Sequence, residues 1–294
     1  MLKVEPKITV DIFDKYYPPK VQLLKWIGNK QKYAAFITSY FPHKFNRYFE
    51  PFIGSGAVLA TVSPTEGIGS DTFKPLIEIW QTLKTNPSLL IKWYEERRQL
   101  LEKQTKEDVY FLIRDSYNKK PNGADFLYLS RACYGGVIRF RKQDGFMSTP
   151  CGVHTPIPVN AFKNRVEIWG KRIKNSDFHN WDYTEAFDSA KKGDLIYCDP
   201  PYSYSQSILY GAQNFSLSQL LEKIKEAKSK GVYVALSIDG NKKSGDFICD
   251  LPIPKYLFER EVFVNLGGSM LKRFQMEGLT MDNDFVNDRL LLTY

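Results

Sequence analysis

A chain of 294 residues with 43% hydrophobic side chains can bury a large core and holds either one large domain with an insert or two domains. Its 41 Lys and Arg against 33 Asp and Glu leave a formal charge of +8 and a pI of about 9.1, a balance that suits a polyanionic partner without requiring one. Four scattered cysteines, Cys133, Cys151, Cys198 and Cys249, form no Cys-x-x-Cys pair, and no apolar run is long enough for a signal h-region or a bilayer span; this argues against zinc, a disulfide framework and a membrane protein, and for a reducing cytoplasm.

The first informative segment is Leu24-Lys25-Trp26-Ile27-Gly28-Asn29-Lys30, ahead of a helix that carries Ala34, Ala35, Phe36 and Ile37 and stops before Pro42. Gly28 permits an unusual turn, Lys30 can meet a carboxylate, and Trp26 can cover an apolar or cationic group. A Trp anchor beside a solvated Lys fits the same residues. Next, Tyr48-Phe49-Glu50-Pro51-Phe52-Ile53-Gly54-Ser55-Gly56, followed by Ala57 to Ala60, reads as strand, glycine turn and helix. In that arrangement backbone approaches a nucleotide-like ligand at the carboxyl end of a parallel strand. The third glycine of the dinucleotide fingerprint is missing, so a plain strand-to-helix turn is the other reading. Gly67 to Asp71 is a short strand ending in an acid, placed either to accept hydrogen bonds from ribose hydroxyls or to cap a helix starting near Lys74.

From about Lys74 to Arg165 the strand-helix alternation breaks. Leu76, Ile77, Trp80 and Leu83 recur at helical spacing, as do Leu89, Leu90, Trp93 and Tyr94, and both sets read as core-facing stripes. Further helices are expected over Lys106 to Tyr117 and Ala124 to Cys133. Tyr134 to Phe146 is an aromatic and basic hairpin-like segment with its turn at Asp144-Gly145. Such a ribbon can enter a DNA groove, where Arg makes bidentate contacts to guanine and an aromatic ring wedges into a base step; a solvated surface hairpin is the alternative.

The alternation then resumes. A helix is expected from Phe162 to Arg172, a strand near Phe178, and Asp182-Tyr183 at that strand's end. Ser216-Leu217-Ser218-Gln219 has the form of a capping box opening an apolar-striped helix that ends at Gly231, followed by a buried strand over Val232 to Ser237. Glu261 to Leu266 and Arg289 to Tyr294 are expected to pair and complete the sheet.

The most informative residues are Asp199-Pro200-Pro201-Tyr202, at the end of the apolar run Leu195 to Cys198. The lone pair of an exocyclic amine on adenine or cytosine is delocalised into the ring and is a poor nucleophile. The Asp199 carboxylate and the Pro200 carbonyl can accept the two amine hydrogens and draw the nitrogen toward a tetrahedral shape. Consecutive prolines fix the direction of that carbonyl, and Tyr202 offers a face for base stacking.

Taken together and in this order, these segments resemble the amino-methylating DNA methyltransferases of the DNA adenine methylase type, the alpha-ordered group: Lys-Trp-x-Gly-x-Lys, Glu-Pro-Phe-x-Gly-x-Gly, an acid after strand two, a recognition insert, then Asp-Pro-Pro-Tyr. The resemblance implies an α/β fold, a Rossmann-like S-adenosylmethionine-dependent methyltransferase sheet with a mostly helical target-recognition insert. Residues 1–73 and 166–294 would form the catalytic domain and 74–165 the insert. It implies that Trp26, Lys30, Asp71 and Asp199 contact S-adenosylmethionine, that the turn with Phe52, Gly54 and Gly56 supports it, and that Asp182 and Tyr183 pack on its adenine. Asp199, Pro200, Pro201 and Tyr202 would bind the target base flipped from duplex DNA. Tyr134, Arg139, Arg141 and Lys142 would meet the DNA, with Arg139 as the base contact, although Gly135 stands where the family usually has Asn. No metal is implied, and a cognate restriction endonuclease is an expected partner. A cytosine-amine enzyme and, from another class, a non-catalytic DNA-binding protein are the competing readings.

Overall fold

The computed structural model describes residues 17–201, 215–242, 253–254, 256–265 and 286–294. Its strands are β1 (Tyr48–Glu50), β2 (Gly67–Ser70), β3 (Ser176–His179), β4 (Leu195–Cys198), β5 (Tyr233–Lys242), β6 (Arg260–Asn265) and β7 (Val286–Leu292), joined in the order β3-β2-β1-β4-β5-β7-β6. The pairs from β3 through β5 are parallel, whereas β7 runs antiparallel to both β5 and β6. Strands covered on both faces need apolar side chains on both, and Leu195 to Cys198 are all buried. Alternation sorts them: Tyr48, Leu195, Tyr197 and Ala235 join one apolar layer, while Phe49, Ile196, Cys198, Val234 and Leu236 join the other.

The helices are α1 (Ala34–Ser39), α2 (Ala57–Val62), α3 (Lys74–Thr85), α4 (Pro87–Gln99), α5 (Lys106–Lys119), α6 (Gly123–Ala132), α7 (Val159–Ile173), α8 (Tyr183–Ser189) and α9 (Leu217–Ser229). The chain leaves β1 toward β2 and β3, then returns through β4 on the other side of β1. The order therefore reverses between β1 and β4, and an open α/β sheet forms its ligand crevice beyond the strand ends at such a point. The expected helices over the insert form with side-chain caps, Thr105 accepting from the Asp108 N–H and Asn122 from the Asp125 N–H. Helices α3 and α7 pack against α4, and their buried Trp80 and Trp169 rings lie 5.6 Å apart, so sheet and insert share one core. Among the described residues no helix is long and apolar enough to cross a membrane.

Three details depart from expectation. In α4, Leu90 and Tyr94 are buried but Leu89 is exposed; Leu89 sits in the first turn, where its N–H donates to the Asn86 cap. The segment after α6 is not a regular hairpin. A turn at Tyr134–Gly136, with left-handed Gly135 and Gly136, precedes only two isolated bridges, Cys133 to Cys151 and Phe140 to Met147. The Thr149 hydroxyl replaces missing ladder bonds, accepting from the Arg139 N–H and donating to the Val137 carbonyl. The expected tip does form, with Gly145 left-handed and the Arg141 N–H donating to the Phe146 carbonyl. Finally, Ser216 makes only the first half of a capping box, to the Gln219 N–H; the complete box is Asp182 with Glu185 at the start of α8.

Trp80 joins these layers: its indole N–H donates to the Gly54 carbonyl, and its ring stacks on Phe178 of β3. Replacement by Ala is expected to cost about 3–5 kcal/mol, typical of a fully buried aromatic. Urea unfolding should show a lower midpoint with an unchanged slope; a change below about 1 kcal/mol would mean that the helical layer does not depend on this ring.

Candidate active site

The registers place Glu50 beside Gly69, and Phe49 beside Ile196, so the residues leaving β1, β2 and β4 converge. A cavity of about 290 Å³ opens there, lined by Trp26, Lys30, Glu50, Phe52, Gly54, Asp71, Asp182, Tyr183, Asp199, Pro200 and Pro201, among others. The structure thus brings together most of the residues picked out for cofactor and base. Gly56 stands just behind the wall, and Tyr202 lies outside the described residues. The ribbon residues Tyr134, Arg139, Arg141 and Lys142 do not line the cavity.

The glycine turn is held by two tryptophans. Gly54 and Gly56 both have positive φ, and a Cβ on Gly54 would come within 2.6 Å of Trp26 Nε1, while one on Gly56 would meet the Trp80 ring at 2.9 Å. Side chains at either position are therefore refused twice, by conformation and by space. Trp26 is in turn braced edge-on by Phe126 of α6 at 6.1 Å. Phe52 stacks on Tyr183 with centroids 5.4 Å apart, and Phe215 abuts both, giving the cavity one aromatic wall.

The opposite character comes from buried acids. Lys30 Nζ lies 2.9 Å from Asp199 Oδ1, with both side chains largely shielded from solvent. Asp71 is 7% exposed and accepts from the Phe73 N–H at 3.0 Å and the Gly54 N–H at 3.5 Å. It does not cap α3, whose N-cap is Phe73; it stiffens the turn leading there. Burial raises the Asp71 carboxyl to about 6, with the backbone N–H donors pulling the other way. Glu50, 3% exposed, is held by the Tyr48 hydroxyl at 2.8 Å. Burial and the nearby Asp199 charge raise it to about 8, against the lowering effect of the Tyr48 bond. Glu50 stands in a motif already singled out by sequence, yet its exposure to the cavity and to Asp199 depends on a strand nearly 150 residues away. Asp182, by contrast, already serves α8: its carboxylate accepts from the Thr184 N–H at 3.0 Å.

At the ribbon, Arg139 is exposed, while Arg141 is engaged locally, bonded to Asp144 at 2.6 Å and stacked on Phe146 at 4.2 Å. Gly135, where the resemblance leads one to expect Asn, has φ +63°, a conformation that Asn and Gly share. The ribbon's root adjoins the cavity wall: Phe140 packs on Phe73, two residues after Asp71, at 5.7 Å. Among the described residues no cluster of three or more His, Cys, Asp or Glu has the arrangement of a metal site.

A model of the D12 class N6 adenine-specific DNA methyltransferase family matches residues 26–263, most of the chain. The chain is 28% identical over 244 residues to the type II methyltransferase M1.LlaDCHI of Lactococcus lactis subsp. cremoris, covering 79% of this chain and 85% of that one. It is 27% identical over 232 residues to the DNA adenine methylase of Vibrio cholerae serotype O1, covering 73% and 79%. It is also 28% identical over 186 residues to the DNA N-6-adenine-methyltransferase of Escherichia phage P1, covering 61% of this chain and 24% of that longer one.

Glu50 sets a pH test. Its carboxyl binds a proton more tightly in the folded chain, near 8, than at its ordinary 4.5, so its contribution to stability is complete below about 4.5 and is lost as pH rises through about 8. Glu50→Gln keeps an acceptor for Tyr48 and cannot ionise. Its melting temperature relative to the unchanged protein should rise steadily from pH 5 to pH 8.5; a difference independent of pH would show that Glu50 is not held protonated.

Proposed function

This chain belongs to the D12 class N6 adenine-specific DNA methyltransferase family, and we propose that its cavity holds S-adenosylmethionine beside a flipped adenine. Adenine is the target base of the family, which favours the adenine reading over the cytosine-amine and non-catalytic alternatives. The observation that carries the proposal is the meeting of Glu50, Asp71 and Asp199, with Lys30, beyond the ends of β1, β2 and β4.

The donor set fits this cofactor. S-adenosylmethionine bears a sulfonium and an ammonium, and buried acids that are costly alone become favourable beside a cation. Asp71 retains acceptor capacity beyond its two N–H bonds and is assigned to the ribose hydroxyls. Phe52 and Tyr183 are assigned to the adenine ring, with Asp182 at the rim, and Trp26 and Lys30 to the methionine end. When bound, the cofactor supplies an electrophilic methyl group.

The chain's own residues prepare the nucleophile. The Asp199 carboxylate and the Pro200 carbonyl are assigned to the two N6 hydrogens, which they hold more strongly as the nitrogen becomes tetrahedral and positive. Pro200 is buried and Pro201 half-buried, so this acceptor pair is fixed before the base arrives. Tyr202 is assigned to stacking on the flipped base. An adenine in a duplex is out of reach of such a cavity, and extrusion of the nucleotide brings N6 to Asp199. Residues 74–165 are assigned to target recognition and residues 1–73 and 166–294 to catalysis. A cognate restriction endonuclease is the partner this reading assigns; the designation of the Lactococcus relative as a type II methyltransferase supports it.

DNA from cells expressing the chain, digested to nucleosides, should contain N6-methyladenine by mass spectrometry, and Asp199→Ala should abolish it while duplex binding persists. Full activity of that variant would overturn the assigned role of Asp199, and a product confined to methylcytosine would overturn the base.

The ribbon assignments separate readout from positioning. Arg139→Ala should relax discrimination at one base pair by about 1–3 kcal/mol. Lys142→Ala should weaken all sequences alike and lower the salt slope by about one phosphate contact. Equal losses on specific and non-specific duplex for Arg139→Ala would make Arg139 a backbone contact.

A further inference from the structure

The segment that leads into Trp26 and Lys30 has no regular secondary structure, yet three side chains of the helical layer grip its backbone. The Arg131 guanidinium, at the end of α6, donates from Nη1 to the Leu23 carbonyl at 2.7 Å and the Gln22 carbonyl at 3.2 Å. On α7, Arg165 donates to the Gln22 carbonyl and the Trp169 indole N–H to the Val21 carbonyl at 2.8 Å. Beyond the grip, Lys25 packs on Gly136, where an added Cβ would sit 3.1 Å from the Lys25 side chain. Trp26 then enters the cavity against Phe126 and Gly54, and Lys30 reaches Asp199.

Arg131 is 6% exposed, and among the described residues it forms no salt bridge. A buried guanidinium without a carboxylate is costly unless other acceptors replace water. The Gln22 and Leu23 carbonyls do so at Nη1 and the Tyr94 hydroxyl interacts with the same guanidinium, while Nε is left without a partner among the described residues. The dependence runs both ways: without Arg131 the strap loses its only bond to the Leu23 carbonyl among the described residues, and without the strap Arg131 loses both of its carbonyl acceptors.

We propose that Arg131, from within the recognition insert, is a positioning residue for the methyl-donor site, holding residues 21–23 so that Trp26 and Lys30 meet the cofactor. It does not line the cavity. This rests on the assignment of S-adenosylmethionine to the cavity.

The test is steady-state methylation of unmethylated high-molecular-weight DNA, with calorimetric titration of S-adenosylmethionine and a duplex-binding assay, on the full chain. Arg131→Met should raise the KM and Kd for S-adenosylmethionine on the order of tenfold or more, as misplacement at a distance does. Its kcat at saturation and its duplex affinity should stay close to those of the unchanged protein. Arg131→Lys, which keeps a donor to the carbonyls, should recover part of the loss. If Arg131→Met folds poorly, the partly exposed Arg165→Met removes one strap bond at less risk and should shift the same KM in the same direction. Weakened duplex binding with an unchanged cofactor KM would overturn the proposal and make Arg131 a DNA-side residue, as would an unchanged KM in Arg165→Met and in a folded Arg131→Met. A wild-type protein that does not bind S-adenosylmethionine fails the donor assignment itself and the inference with it, whereas variants matching a binding wild type fail the inference alone.

Discussion

Burial of acids at one end of a parallel sheet is the constraint on which this molecule is arranged. Glu50 ends β1, Asp71 and Asp199 follow the adjacent β2 and β4, and the sheet delivers all of them to the same cavity, where Lys30 pairs with Asp199. Carboxylates in a protein interior are tolerated when they are bonded, paired or protonated. The chain uses each means once: backbone N–H groups on Asp71, an ammonium on Asp199, and a proton on Glu50 beside the Tyr48 hydroxyl. Such a cavity is poised for a cation. A positive ligand favours the ionised form of Glu50, so its binding is linked to release of the proton held there.

The second constraint is the closeness of backbone to ring. Trp26 and Trp80 approach the turn from two sides, and only glycines at 54 and 56 leave room for both. Trp80 belongs to the helical layer and Trp26 to the strap, so the turn is clasped between the part of the chain that carries the insert and the part that carries Lys30. Glycine there is required by packing, the plainer of the two explanations offered by the bare Gly-x-Gly, and the approach of a ligand to the same turn belongs to the proposed reading.

Much of this was legible because the informative signals are local. A run such as Leu195 to Cys198 ending in Asp-Pro-Pro states both a doubly covered strand and a rigid carboxyl end, and the Asp71 strand and the helical stripes of the insert are read the same way. What escaped the sequence depends on partners far along the chain. Glu50 acquires its proton affinity from burial and from Asp199, and Arg131 finds its acceptors at Gln22 and Leu23, more than 100 residues away. The ribbon was legible as aromatic, basic and turning at Gly145, but not in its pairing. Two consecutive left-handed glycines at 135 and 136 divert the chain, and a threonine hydroxyl stands in for the ladder.

The same contacts bear on how recognition and chemistry are joined. Phe73 follows Asp71 by two residues and touches both Phe126 of α6 and Phe140 of the ribbon, at 4.9 and 5.7 Å. Lys25 precedes Trp26 and rests on Gly136 at the ribbon's root. Each side of the cavity is therefore tied through close-packed rings and backbone to the element assigned to DNA, and interiors packed at that density shift as units. A site built this way does not reach out to its substrate. On the proposed reading the ribbon fixes the duplex relative to a rigid cavity, and the adenine covers the remaining distance by leaving the stack, which is why base extrusion belongs to the architecture as well as to the chemistry.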